Sequence, residues 1–335
     1  MKILITGAAG FIGAHLAKKL LKQGEEVIGL DNLNAYYSVT LKQDRLKKLE
    51  EFARFKFVRM DINDRPAIEH LFATENFQQV IHLAAQVGTA HSLENPHAYI
   101  ETNLLGFTNI LEACRQYRVE HLLFASTDSV YGLNTALPFS THDHAEHPLN
   151  LSAATKKANE LLAHSYAHLY GLPVTGLRFF TVYGPWGRPD MAYYKFTRAI
   201  LENRPINLYN HGKLRRDFTY IDDVITSTLR LLQRIPQGNK KWSSMSPDPG
   251  SSPAPYQIHN IGNHKTVTLI DFIATLEALL GKKAQKNFLP MPEGYMHASC
   301  ANIKDLKARI GFYPDTELEH GLAQFIHWFR DYHCV

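Results

Sequence analysis

Gly7, Gly10 and Gly13 stand at three-residue spacing directly after the apolar run Lys2-Ile3-Leu4-Ile5-Thr6. A phosphate reaches a backbone only where no Cβ intrudes, so Gly7 and Gly10 suit a tight turn against a pyrophosphate. Gly13 lets the helix of His15 to Lys22 lie close on a sheet. That helix offers free N–H groups and the positive end of its dipole to the anion. A second strand, Glu26 to Leu30, ends in Asp31, at about the distance expected of a ribose-binding carboxylate. A carboxylate there accepts from both ribose hydroxyls and repels a 2′-phosphate, which favours NAD over NADP. An ordinary βαβ unit with a tight turn is the plainer alternative. The agreement of strand, loop, helix and acid counts against it.

These residues need a sheet to hold them. Phe55 to Val58 reads as a strand running on to Met60-Asp61-Ile62, and Gln79 to Ala85 as another, short and apolar as a parallel strand covered on both faces should be. A helix follows from Pro96 to Tyr117, a strand from His121 to Ser126, a helix from Ser152 to Tyr170 and a strand from Val174 to Phe180. Such alternation predicts an α/β fold: a Rossmann-type, doubly wound parallel sheet whose ligand lies beyond the carboxyl ends of its strands. From Thr181 the regularity loosens into a smaller, mixed C-terminal domain. Gly184 to Pro189 is a loop, Tyr193 to Leu201 and Asp222 to Leu232 are helical, and Ile206 to Tyr209 is strand-like. Pro236 to Pro255, rich in Ser, Pro and Gly, reads as an exposed or poorly ordered loop. Tyr256 to Ile261 is a strand, and Thr268 to Leu280 and Leu318 to Tyr332 are helices. The expected division is residues 1–180 for the cofactor and 181–335 for the substrate, with segments near 212–262 returning to the first.

Composition narrows the function. A chain of 335 residues with 45% hydrophobic and 20% charged side chains can bury a full core. A net charge of +4, with acids and bases interleaved, gives no basic stripe for nucleic acid. Cys114, Cys300 and Cys334 show no metal or redox spacing, and their odd number fits a reducing compartment. The chain begins as a strand rather than a signal peptide, and no apolar run is long enough for a membrane. A cytoplasmic protein is the expectation. His142, Asp143, His144, Glu146 and His147 are possible metal ligands within a short run, but nothing in the pattern orients them, and no metal is expected.

The longest motifs are Asp31-Asn32-Leu33-Asn34, Ser92 to Tyr99, Thr155 to Glu160, Arg178 to Ala192 and Asn210 to Tyr220. On these the chain resembles the extended short-chain dehydrogenase/reductases, in the NAD-dependent sugar-nucleotide epimerase/dehydratase family. Within it the chain is most similar to the UDP-glucuronate 4-epimerases. The resemblance spans nearly the whole chain. It implies a homodimer built on the helices of Pro96 to Tyr117 and Ser152 to Tyr170. It also implies a reaction in which the sugar gives a hydride to NAD at C4, turns as a 4-keto intermediate, and takes the hydride back on the other face.

That chemistry needs a group to take the proton of the sugar hydroxyl. In the family a tyrosine does so, kept anionic by a lysine four residues later on the same helix face. Here the lysine is Lys156 and the partner hydroxyl at the strand end is Thr127, with Ser129 close by. Ser152 stands at the tyrosine's position. A serine hydroxyl is shorter and far less acidic, and loss of a placed base costs roughly 10²–10⁴-fold, about 3–5 kcal/mol. Ser152 also reads as a small polar residue in a helix's first turn.

By resemblance, Phe11 and Ile12 lie with the glycine loop, Asn32 beside Asp31, Asp61 and Ile62 against the adenine, and Leu83, Ala84 and Ala85 at the nicotinamide ribose with Lys156. Arg216 matches the diphosphate clamp, with a surface ion pair to Asp217 as the alternative. Arg188 is the candidate for the sugar carboxylate region, or else a solvated loop arginine, and Thr181 supplies a pocket hydroxyl. Three stretches depart from pattern: Ala90 replaces a basic residue, Glu293-Gly294-Tyr295 replaces Pro-Gly-Asp, and Cys300-Ala301-Asn302 replaces Tyr-Ala-Asp. Thr127-Asp128-Ser129 keeps two of the Thr-Asp-Glu residues of the related dehydratases, but Ser129 cannot act as their glutamate. An inactive protein that binds NAD and a nucleotide sugar, and a dehydratase, therefore stand beside the epimerase reading.

Overall fold

The computed structural model describes residues 1–335. Six strands alternate with helices in the first half: β1 (Lys2–Thr6), β2 (Glu26–Asp31), β3 (Phe55–Arg59), β4 (Gln79–His82), β5 (His121–Thr127) and β6 (Val174–Phe179). The second half adds β7 (Thr181–Tyr183), β8 (Ile206–Leu208), β9 (Arg215–Arg216), β10 (Phe218–Tyr220), β11 (Tyr256–Ile261), β12 (Val267–Thr268) and β13 (Lys286–Phe288). The main sheet has seven strands in the order β11-β6-β5-β4-β1-β2-β3, all parallel. The order reverses at β1, whose neighbours are β2 and β4. The crevice at the carboxyl ends of β1 and β4 is therefore the switch point where a ligand binds such a sheet. β11 returns to the sheet edge beside β6. The remaining short strands pair as β10–β7, β12–β9 and β13–β8.

Alternation along β1 sorts the core into two layers. Ile3 and Ile5 pack with Leu16 and Leu20 of α1 (Phe11–Lys22). Leu4, between them, faces the other layer. There it meets the buried residues of α3 (Arg65–Glu75), α6 (Phe107–Gln116) and α7 (Leu151–Tyr170), with α2 (Val39–Glu50), α4 (Thr89–Glu94) and α5 (Pro96–Tyr99) completing the first half. α8 (Ala192–Leu201), α9 (Ile221–Leu232), α10 (Leu269–Leu280), α11 (Lys304–Ile310) and α12 (Leu318–His333) follow. α9 lies beside α1, and α8, α10 and α12 pack together around Tyr193, Phe272 and Phe325.

Two features differ from the expectations. α2 and α3 were not legible as helices. They are capped by Ser38 and Asp64, whose side chains accept from the Leu41 and Ala67 amides. The helix expected over Pro96 to Tyr117 is interrupted by a π-helical stretch, Ile100–Gly106. Its cause is Asn103, which turns inward to bond Gln86 and Thr155, while its own carbonyl accepts from Asn159 Nδ2 at 2.6 Å. As expected of a loop, residues 236–255 form no helix or strand. No helix is long and apolar enough to cross a membrane.

Candidate active site

A cavity of 620 Å³ opens at the carboxyl ends of the central strands. Gly7, Gly10, Phe11, Ile12 and Gly13 line one end, and Arg216 and Tyr295 the other. Between them lie Leu83, Ala84, Ala85, Thr127, Ser152 and Lys156.

The glycine end is built by close backbone approach. Gly7 has φ +74°, and a Cβ on it would stand 2.8 Å from the Ala84 nitrogen. A Cβ on Gly13 would stand 2.2 Å from the Gly7 carbonyl oxygen, so the first turn of α1 can sit against the loop only without side chains there. Thr6 locks the loop to β4. Its Oγ1 accepts from the Leu83 and Ala84 amides, both at 3.2 Å, and bonds His82 Nδ1 at 2.8 Å. Burial, with Lys156 nearby, pushes His82 down to about 3, so the ring beside Thr6 is neutral. Asp31, at the end of β2, accepts from the Ala9 amide at 3.1 Å and the Leu33 amide at 2.9 Å. Its carboxylate is thereby fixed at the loop and lines the cavity.

The opposite wall comes from β5 and α7. β5 ends at Thr127, whose hydroxyl accepts from the Ser129 amide and donates to Asp128 Oδ1, each at 3.2 Å. Burial raises the Asp128 carboxyl above its ordinary range, while Arg216 and neighbouring hydroxyls act in the other direction. α7 starts under an Asn150 cap that accepts from the Ala153 amide at 2.9 Å. Ser152 and Lys156 follow one turn apart and both face the cavity. Lys156 is buried, and desolvation alone brings its ammonium down to about 8. Asn150 Nδ2 also donates to the Gly294 carbonyl at 2.8 Å, joining the start of α7 to the segment that closes the cavity.

The chain matches the family model described as the NAD dependent epimerase/dehydratase family over residues 3–243. The chain belongs to this family. It is 51% identical over 333 residues to "Protein CapI" of Staphylococcus aureus, covering 99% of each chain. It is 46% identical over 330 residues to a "Probable UDP-glucuronate 4-epimerase" of Rhizobium meliloti, covering 98% of this chain and 97% of the relative. Among solved structures it is similar to the UDP-glucuronic acid 4-epimerase of Bacillus cereus in complex with UDP-glucuronic acid and NAD. That match has a TM-score of 0.89 at 34% identity, covering 99% of this chain and 100% of the other. The family's cofactor is NAD, and the residues present fit it. The loop at Gly7 and Gly13 leaves room only for backbone, and Asp31 fixes a carboxylate beside it at the cavity wall.

Within this epimerase/dehydratase frame, the remaining sequence candidates divide. Asn32, Ile62, Ser129 and Thr181 line the cavity. Asp61 borders it from behind, accepting from Asn32 Nδ2 at 2.8 Å. Arg216 lines the far end, held by the carbonyls of Arg215 at 2.9 Å, His297 at 3.3 Å and Met296 at 2.8 Å. It makes no ion pair with Asp217. That carboxylate is buried, raised to about 7 by desolvation, and spent on the amides of Asn263, His264 and Ala301. Arg188 lines the cavity with its guanidinium already paired to Asp190, at 3.0 and 2.5 Å. Tyr295 lines the cavity, whereas Ala90 is exposed and Cys300 and Asn302 lie outside the lining.

Two residues had no sequence signal. Arg45 reaches from α2 to the Ala9 carbonyl at 2.9 Å and the Trp186 carbonyl at 2.6 Å, tying the glycine loop to the 184–189 loop. Asp190 captures Arg188. Arg45 acts across 141 residues, which no local pattern spans, whereas Asp190 stands only two residues from Arg188. In the histidine run, His142 bonds Asp248 at 2.8 Å and Asp305 at 3.0 Å, and no cluster of three metal-binding side chains forms.

Proposed function

We propose that this protein is an NAD-dependent UDP-sugar 4-epimerase whose turnover is slowed by Ser152. One observation carries the reading: Thr127, Ser152 and Lys156 share a single cavity with the glycine loop and with Arg216. NAD, when bound, supplies the acceptor and donor of a hydride at the sugar's C4. Lys156 holds the ribose beside it. The Thr127 hydroxyl, oriented by the Ser129 amide and Asp128, bonds the sugar hydroxyl that loses its proton. Arg216, with three carbonyl partners and no carboxylate, holds the diphosphate. Residues 1–180, with β11 returned to their sheet, hold NAD, and residues 181–335 hold the nucleotide sugar.

The proton acceptor is the weak element. Ser152 Oγ makes no hydrogen bond in the chain and does not ionise near neutral pH. Epimerisation of UDP-glucuronate, the sugar nucleotide in the names of two of the relatives, should be slow in this protein. Ser152→Tyr should raise epimerisation roughly 10²-fold or more, because Lys156 and Thr127 already flank the position. Proton NMR of product formation on both proteins tests this. No gain despite tight NAD and UDP-sugar binding would favour the second reading, a nucleotide-sugar-binding protein without turnover. A dehydratase is less well supported, since Asp128 is present but Ser129 offers no base.

We also infer a homodimer. Ile100 and Leu105 on the π stretch, with Leu161, Leu169 and Tyr170 on α7, are large apolar side chains left 40–70% exposed by the single chain, at 42%, 54%, 61%, 67% and 53%. Such a face needs a partner. The cytoplasm is the compartment proposed, in keeping with three unpaired cysteines.

A further inference from the structure

The sugar end of the cavity holds a carboxylate with no ion-pair partner. Asp128 is 8% exposed, lines the cavity, and follows directly on Thr127 at the end of β5. Its partners are hydroxyls: Thr127 Oγ1 at 3.2 Å and Ser129 Oγ at 3.5 Å, with the buried, unbonded Ser299 hydroxyl beside it. The one cation that acts on it is Arg216. A bound diphosphate claims that guanidinium, because Arg216 is the cavity-lining arginine without a carboxylate of its own. A sugar attached to a diphosphate at Arg216, with its C4 turned toward Thr127 and Lys156, must pass Asp128.

No spare cation waits beside Asp128 for a second negative charge on the sugar: Lys42, which also lines the cavity, is spent on the Asn34 carbonyl and Oδ1 at 2.8 and 2.9 Å. Arg188 is spent on Asp190. Position 90 is an exposed alanine. Lys156 stands on the cofactor side, and Lys195 is exposed on α8. A hexuronate would bring its carboxylate toward a buried carboxylate already present at the sugar end. An uncharged hexose would instead bring hydroxyls, which donate to Asp128 and satisfy it.

We propose that Asp128 sets the substrate class: the site takes UDP-hexoses with an uncharged sugar and discriminates against UDP-hexuronates. The inference rests on the UDP-sugar reading above and sharpens it, since two of the relatives are named for a uronate. Two like charges about 6 Å apart at an effective dielectric constant of about 20 shift a binding ratio on the order of 10²-fold.

The test is binding rather than turnover. Isothermal calorimetry on the NAD-loaded protein at pH 7.5 compares UDP-glucose, UDP-galactose and UDP-glucuronate. The neutral sugars should bind on the order of 10²-fold more tightly than the uronate. Asp128→Asn and Asp128→Ser should each tighten UDP-glucuronate and shrink the ratio to a few-fold, each sugar nucleotide being referred to UDP bound by the same variant. The UDP control and a thermal melt show that each variant is folded. Equal or tighter uronate binding by the unaltered protein overturns the proposal, as does a ratio that neither variant changes. Because no turnover is read, a protein that discriminates but never epimerises would refute the epimerase reading and leave this one standing.

Discussion

Glu160 of α7 accepts two parallel hydrogen bonds from Arg178 of β6, Nε to Oε1 and Nη2 to Oε2, both at 2.8 Å and both fully buried. Ser126 of β5 donates to the same carboxylate at 2.7 Å. One side chain thus fastens the helix carrying Ser152 and Lys156 to the two strands beside it. Lys156 lies four residues before Glu160, so the clamp acts one turn from the site.

Breaking that clamp should be costly. Glu160→Gln leaves a buried guanidinium without its counter-charge, and the expected loss is about 3–5 kcal/mol, read by urea denaturation. Burial alone would raise the Glu160 carboxyl, but Arg178 prevails and holds it down at about 2. A depressed carboxyl contributes stability above its unfolded value near 4.3, lost as pH falls toward 2. Acid unfolding should therefore steepen below about pH 4, and the Glu160→Gln protein should lack that component.

Lys156 gives the opposite signature. Its ammonium is brought to about 8 by burial, against an ordinary value near 10.4. Between these values the unfolded chain binds the extra proton, so this group's contribution makes the fold more stable as pH rises from about 8 to 10.4. Lys156→Met should remove that slope, seen in melts over the alkaline range, and should weaken NAD binding in calorimetry.

Cofactor choice should follow Asp31. The unaltered protein is expected to bind NAD more tightly than NADP, and Asp31→Ala to narrow the preference chiefly by relieving repulsion of the 2′-phosphate. Equal affinities before substitution would show that Asp31 does not face the ribose.

Asn150 has two duties that one substitution separates from the chemistry. Asn150→Ala removes the cap of α7, worth about 1 kcal/mol, and frees the Gly294 carbonyl. The segment 294–296 then loses its tie to α7. UDP affinity should fall while NAD affinity stays near its starting value, both measurable by calorimetry.

The apolar face on the π stretch and α7 can be tested directly. Leu105→Glu and Leu161→Glu place charge on it, and light scattering should show dimer giving way to monomer. A protein that is monomeric at micromolar concentration before substitution would refute the dimer.

What the residues reveal in order is the part governed by short-range geometry. The strand, the glycine spacing and Asp31 are legible because a tight turn, a close backbone approach and a strand end are local demands. Ser152 and Lys156 are legible as a pair because four residues make one helical turn. The tertiary structure decided the rest. Asp190 stands only two residues after Arg188, yet the conformation of their loop decides that the two side chains meet, and Asp217 looked like its neighbour's ion partner until burial turned it onto three backbone amides. The break in the helix at residues 100–106 follows from Asn103 meeting Gln86, Thr155 and Asn159, partners brought near by the fold. Which cation a buried carboxylate faces, as with Asp128 and Arg216, depends on chain segments 88 positions apart, and electrostatics acts through space rather than along the chain.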